Sequence, residues 1–199
     1  MALTIGITGG IGSGKSTICA FFKLLGAPVF EADVEAKKLM TSSAEIKTGL
    51  IDLFGNSIYT KNGILDRKKL AGIIFSDKLQ LEKVNALIHP IVRSEFKLWA
   101  EQQTTAYVIH EAAILFESGF YKMMDFTILV SAPEDIRIKR VIKRDKVSKE
   151  QVKERMNKQW TDEQKRPLAD VEFVTDDTDL LIPRIMEIDK QLKENGKIW

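Results

Sequence analysis

Residues 6–17 read Gly-Ile-Thr-Gly-Gly-Ile-Gly-Ser-Gly-Lys-Ser-Thr and follow directly on the apolar run Ala2-Leu3-Thr4-Ile5. A buried strand that turns through glycines into a helix leaves main-chain N–H groups uncovered. Together with the positive end of the helix, those groups form a cradle for an anion. Gly9 to Ser16 fits G-x-x-x-x-G-K-[ST], and it lies between an expected strand and an expected helix, as that motif requires. A glycine turn without a ligand would account for Gly9 and Gly14 but not for Lys15 followed by two hydroxyls. A dinucleotide site is also excluded, because Gly10-x-Gly12-x-Gly14 lacks the G-x-G-x-x-G spacing. The loop therefore suits a nucleoside triphosphate, with its phosphates held by Gly10, Gly12, Ser13, Gly14, Lys15, Ser16 and Thr17. Lys15 bridges the β- and γ-phosphates, and Ser16 offers its hydroxyl to Mg²⁺ as the metal-binding residue.

Strand and helix patterns alternate from there. Strands are expected at Leu3 to Thr8, Pro28 to Phe30, Tyr107 to His110, Phe126 to Ser131 and Glu172 to Thr175. Helices are expected at Lys15 to Leu25, at Val34 to Met40, from a capping box at Ser42-Ser43-Ala44-Glu45 through Leu53, and from Arg67 to Phe75. A longer helical pattern opens at Ser76-Asp77 and should kink or break at His89-Pro90 before resuming to Gln103. Pro133-Glu134-Asp135 starts a helix that runs to about Arg144, with acids at its positive end. Ser148-Lys149-Glu150-Gln151 and Thr161-Asp162-Glu163-Gln164 cap two short helices, and a closing helix runs from Leu180 to about Lys193. Helices between short buried strands give an α/β fold, a doubly wound parallel five-stranded sheet. No repeat or linker divides the chain, so residues 1–199 form a single domain. Its core covers about 1–40, 104–140 and 168–199, with an acceptor-binding helical region at about 41–103 and a helical lid at about 141–167.

Thirty Lys+Arg against 28 Asp+Glu leave a net charge of +2, too little to indicate nucleic acid. The lone Cys19 forms no internal disulfide and no Cys/His cluster has metal-ligand spacing, so a reducing cytoplasm is expected. No run approaches the roughly 20 apolar residues of a membrane span, and the N-terminus lacks a signal peptide's basic region. The expectation is a soluble protein that stays inside the cell.

A phosphate loop alone serves switches, motors and small-molecule kinases. Guanine recognition has no support, because Asn157-Lys158-Gln159-Trp160 lacks the aspartate of Asn-Lys-x-Asp. Asp33 falls at the end of the second strand, on the edge where ligands gather in such sheets. It either takes a proton from an attacking hydroxyl, or orients that hydroxyl and holds Mg²⁺ through water, or caps the helix that follows. Arg137, Lys139, Arg140, Lys143 and Arg144 crowd one helix, and Arg140 and Arg144 project from one face at i,i+4. A solvated surface explains such a run, but an arginine carried by a closing lid also stabilises a migrating phosphoryl group. His89 and Arg93 offer a donor pair to an anionic substrate. Glu117 in Ile114-Leu115-Phe116-Glu117-Ser118-Gly119 either touches substrate or ends a helix.

The chain resembles the dephospho-coenzyme A kinase family over nearly its whole length. The resemblance rests on Thr8 to Thr17, Ala32-Asp33, Leu87-Ile88-His89-Pro90, Leu115-Phe116-Glu117, Arg140, Arg144-Asp145 and Gln159. It implies a fold like that of the nucleoside monophosphate kinases and ATP-dependent phosphorylation of the ribose 3′-hydroxyl of dephospho-coenzyme A. By the same resemblance Asp33, Lys15 and Arg140 are catalytic, and His89, Arg93, Glu117 and Arg144 join Asp33 in binding the acceptor. The chain departs from the family at Glu31, where aspartate is usual, at Ala113, where proline is usual, and at Thr175-Asp176-Asp177, where asparagine is common. Two other readings share the loop: a kinase of another nucleotide or sugar, and a switch that hydrolyses ATP slowly.

Overall fold

The computed structural model describes residues 2–176 and 180–196. Two compact units are present, Met1–Glu31 with Trp99–Trp199, and Ala32–Leu98. The first holds the sheet. Its strands are β1 (Leu3–Thr8), β2 (Val29–Glu31), β3 (Tyr107–Glu111), β4 (Phe126–Ser131) and β5 (Val171–Val174), all parallel in the order β2-β3-β1-β4-β5. The central strands β1, β3 and β4 are buried along most of their length on both faces, as a parallel sheet covered by helices demands, while the edge strands β2 and β5 alternate buried and half-buried residues. Leu3 lies opposite Tyr107, Ile7 opposite Glu111 and Ile5 opposite Phe126. The N-terminal edge is pinned twice by one device. Asp125 Oδ2 accepts from the Thr4 N–H and hydroxyl at 2.7 and 2.9 Å, and Asp170 Oδ2 accepts from the same two groups of Thr127 at 2.8 Å each.

The helices of this unit follow from their apolar spacing. In α1 (Lys15–Leu24), Ile18, Cys19 and Phe22 are buried. In α9 (Leu181–Asn195), Ile185, Ile188 and Leu192 meet them over Ile5, Ile109 and Phe173. Asp189 of α9 accepts from the Tyr107 hydroxyl at 2.6 Å and from Lys193 Nζ at 2.9 Å. In α6 (Glu134–Asp145), Ile138 and Val141 form a satellite cluster with Val152 of α7 (Lys149–Met156). The short α8 (Asp162–Lys165) follows, and both α7 and α8 carry complete capping boxes from Ser148 and Thr161. A buried ion pair joins α6 to α8, Arg137 Nη1 to Asp162 Oδ2 at 3.2 Å.

The second unit is helical: α2 (Ala32–Ser42), α3 (Ala44–Phe54), α4 (Arg67–Ser76) and most of α5 (Lys78–Glu101). Ser43 caps α3 by accepting from the Ile46 N–H, and Gly55 ends it with φ 79°. Ile46, Leu50, Ile58, Leu70, Val84 and Ile88 fill its interior. Gly49 admits the Leu87 side chain, which a Cβ would approach at 2.6 Å.

Several boundaries differ from expectation. The Ser42–Glu45 box does not form, because α2 runs on through Ser42 and the cap falls to Ser43. Asp33 is not a cap, because α2 already starts at Ala32 and Asp33 sits in its first turn. The helix at His89-Pro90 does not break: α5 continues through Pro90, which removes only one donor from a 24-residue ladder. It starts at Lys78, with Asp77 Oδ1 accepting from the Leu79 and Gln80 N–H groups. Pro133 is the cap residue of α6 rather than part of its first turn.

His110 of β3 is buried between the Phe30 ring, stacked at 5.7 Å, and the Phe120 ring at 4.4 Å. Burial pushes its imidazole down to about 3. The folded form thus keeps the ring neutral, and the unfolded chain binds the proton near pH 6.5. Stability should be whole above pH 6.5 and fall by up to about 1.4 kcal/mol per pH unit as pH drops towards 3. Urea melts of wild type and His110→Phe across that range should diverge with this slope. Arg137→Met should cost about 3–5 kcal/mol, since it strands the Asp162 carboxylate, and Arg137→Met with Asp162→Leu should recover most of the loss. Denaturant melts of the three proteins check this.

Candidate functional site

The chain leaves β1 toward β2 and leaves its neighbour β4 toward β5, so a crevice opens beyond the carboxyl ends of β1 and β4. Gly9 to Lys15 occupies that end of β1. Gly12 and Gly14 hold φ of 79° and 97°, which side-chain-bearing residues avoid, and the Ser13 N–H closes a turn onto Gly10 O at 3.1 Å. Gly14 is the cap residue of α1, so the N–H groups of the helix's first turn point out of its start toward the loop. Ser16 and Thr17 are exposed there. Lys15 Nζ donates to Gly9 O at 2.8 Å and lies 3.8 Å from Glu111 Oε1 at the end of β3. This gives a partner to the Glu111 carboxylate.

The glycines have a second use that sequence reading missed. A Cβ at Gly10 would stand 2.0 Å from Arg137 Nη2, and one at Gly12 would stand 2.6 Å from Arg137 O. Glycine lets α6 press against the back of the loop. Arg137 Nε donates to Ile11 O at 3.0 Å, and the Ile11 N–H donates to Gln159 Oε1 at 2.9 Å. Arg137 was one charge in a basic run, yet it is buried on the same α6 face as Ile138 and Val141. Its spacing from Val141, four residues on, was the available signal.

Arg140 and Arg144 separate. Arg140 donates from Nη1 to Thr175 Oγ1 at 2.7 Å and from Nη2 to Thr175 O at 2.9 Å, while Thr175 Oγ1 donates to Ser13 O at 2.6 Å. Thr175 thus links the loop after β5 to the phosphate loop, a role the sequence did not suggest. Beside it lies a cavity of about 470 Å³ bordered by Gly14, Thr17, Phe21, Arg140, Thr175 and Pro183. The neighbouring Asp177 lies outside the described residues. Arg144 is exposed and donates to Asp145, which also accepts from Arg155.

Glu117 stands in a turn, not at a helix end. Its Oε1 pairs with the fully buried Lys165 Nζ at 3.0 Å and accepts from the Trp160 N–H at 3.0 Å. Asp33, His89 and Arg93 belong to the helical unit. There Asp33 is exposed and His89 is half-buried one turn before Arg93 on α5. Burial pushes the His89 imidazole below its usual range, Arg93 adds to that, and the Asp33 carboxylate opposes it. Among the described residues no group of three or more His, Cys, Asp or Glu could hold a metal ion, and no helix is long and apolar enough to cross a membrane.

The sequence profile of the dephospho-CoA kinase family matches residues 3–180. A dephospho-CoA kinase of Bacteroides fragilis is 38% identical over 189 residues, covering 94% of this chain and 92% of its own. A crystal structure from Thermus thermophilus is 34% identical with a TM-score of 0.82, covering 94% of this chain and 95% of its own. A dephospho-CoA kinase of Campylobacter jejuni, 25% identical with a TM-score of 0.70, covers 99% of this chain and 100% of its own. The protein belongs to the dephospho-CoA kinase family.

Proposed function

We propose that the protein transfers the terminal phosphoryl group of ATP to the ribose 3′-hydroxyl of dephospho-coenzyme A, giving coenzyme A and ADP. This is the last step of coenzyme A synthesis. The observation that carries the reading is the fully formed phosphate loop, with Lys15 held over it, in a chain that is a family member across its length. Gly10 to Thr17 hold the triphosphate through main-chain N–H groups and the start of α1, and Lys15 exchanges Gly9 O and Glu111 for phosphate oxygens. The cavity beside Phe21, Arg140 and Pro183 takes the adenine, since it combines apolar walls with a guanidinium.

The Ser16 hydroxyl and the Glu111 carboxylate are hard oxygen donors and suit Mg²⁺, which keeps several water and phosphate ligands and needs few from protein. That ion would supply neutralisation of the charge on the transferring group. Asp33 orients the attacking hydroxyl and receives its proton. Arg140 meets the charge that spreads over the migrating group. Dephospho-coenzyme A is itself anionic, and His89, Arg93 and Arg144 give it donors. Oε1 of Glu117 holds Lys165 and the Trp160 N–H, and its buried Oε2, which has no partner among the described residues, is left to bind the acceptor. With its thiol buried and pushed up to about 12, Cys19 stays protonated and inert, in keeping with a cytoplasmic enzyme.

A coupled assay of ADP release tests this reading. Turnover should rise only when dephospho-coenzyme A is supplied, and a rate indifferent to it would point to the switch instead. Asp33→Asn should lower kcat at least about hundredfold, the usual scale for loss of a positioned base. Lys15→Ala should abolish productive use of ATP in the same assay, with its melting temperature retained.

A further inference from the structure

We infer that Gln159 is a positioning residue for phosphoryl transfer, because its side-chain carbonyl holds the crest of the phosphate loop. The inference rests on the triphosphate reading of that loop. Ile11 is the residue at the crest, and all three of its parts are held from outside. Its N–H donates to Gln159 Oε1 at 2.9 Å and its carbonyl accepts from Arg137 Nε at 3.0 Å. Its side chain packs on the cluster of Ile138, Val141 and Val152. The next residue, Gly12, has φ 79°, so the direction of the following N–H groups depends on how the Ile11 peptide is set.

The amide of Gln159 is itself aimed. Its own N–H donates to Met156 O at 3.0 Å, and the N–H of the next residue, Trp160, is fixed on Glu117 Oε1 at 3.0 Å. The same carboxylate oxygen is paired with Lys165, which has no exposed surface. Two residues beyond Trp160, Asp162 binds the very arginine that grips the Ile11 carbonyl. Segment 159–165 and the loop are therefore joined at one residue, Ile11, directly through Gln159 and indirectly through the Arg137–Asp162 pair. A neutral amide is the suitable group here: its carbonyl accepts from the loop without adding negative charge beside a site for a polyanion.

Misplacement of a reacting group by about 1 Å costs on the order of a hundredfold in rate, and loosening one of two tethers costs less. Gln159→Met keeps the volume and removes the acceptor. It should lower kcat about tenfold with KM for ATP changed less than about threefold, and with an unchanged thermal melt. Gln159→Glu keeps an acceptor oxygen, so its kcat should stay nearer wild type. Its added charge should raise KM for ATP, and the rise should shrink in high salt. A wild-type kcat in Gln159→Met, or tighter binding of Mg-ATP by that variant, would overturn the inference. Equal losses of kcat in both variants, tracking a common fall in melting temperature, would overturn it too. Should Gln159→Met fail to fold, hydrogen exchange of the Ile11 amide in the wild type decides: protection is expected, and exchange at an open-loop rate refutes the tether. Failure of the triphosphate reading looks different, since the wild type itself would then ignore Mg-ATP in calorimetry.

Discussion

The phosphate-loop side of the sheet unit depends on a guanidinium pressed close against glycine. Arg137 occupies the space that side chains at Gly10 and Gly12 would fill, and from there it binds the Ile11 carbonyl. A charge so far removed from water needs a partner, and Asp162 of α8 supplies one. Bringing α8 inward buries Lys165 as well, which then requires Glu117 and the Ala113 carbonyl. Each burial obliges the next. The sequence from the loop to α6, α8 and the turn after β3 is one chain of desolvated charges, each satisfied by its neighbour.

That dependence revises what a lid means in this fold. Residues 141–167 read as a mobile cover rich in arginine and lysine, and α7 is indeed polar on its outer face. Its inner face, however, is anchored by Val152 on Val141, and the stretch from Gln159 to Lys165 is bound through the side chains of Gln159, Asp162 and Lys165 and the main-chain N–H of Trp160. The stretch nearest the loop is part of its support. The bonds of Arg144 and Arg155 to Asp145, of Lys153 to Glu134 and of Arg166 to Glu172 are exposed, and exposed pairs stabilise little.

The sequence disclosed what depends on local pattern and hid what depends on burial. The strands, the phosphate loop and the Ser148 and Thr161 capping boxes are short-range signals, and they stand within a residue or two of their expected places. The start of α2 at Ala32, ahead of the expected Val34, and the absence of a break at Pro90 differ from expectation because a helix end and one lost hydrogen bond are decided by the helix around them. Arg137, Lys165, Asp162 and Thr175 were invisible for a different reason. A charged or hydroxyl residue reads as surface until the partner that satisfies it is known, and those partners lie between 25 and 162 residues away.

The same reasoning explains the departure at Glu31. In register, Glu31 of β2 lies directly opposite Glu111 of β3, and like charges so placed repel. Two lysines of α1 resolve the conflict, Lys23 on Glu31 and Lys15 on Glu111. They stand eight residues apart on the helix, a little over two turns, so both project along the same side of α1. Glu31 reaches Lys23 with one more methylene than aspartate has, and the pair is exposed, so its charge is satisfied without drawing Lys15 away. Lys15 is thereby left with a partner at the longer distance of 3.8 Å, a contact loose enough to yield when a stronger anion enters the loop.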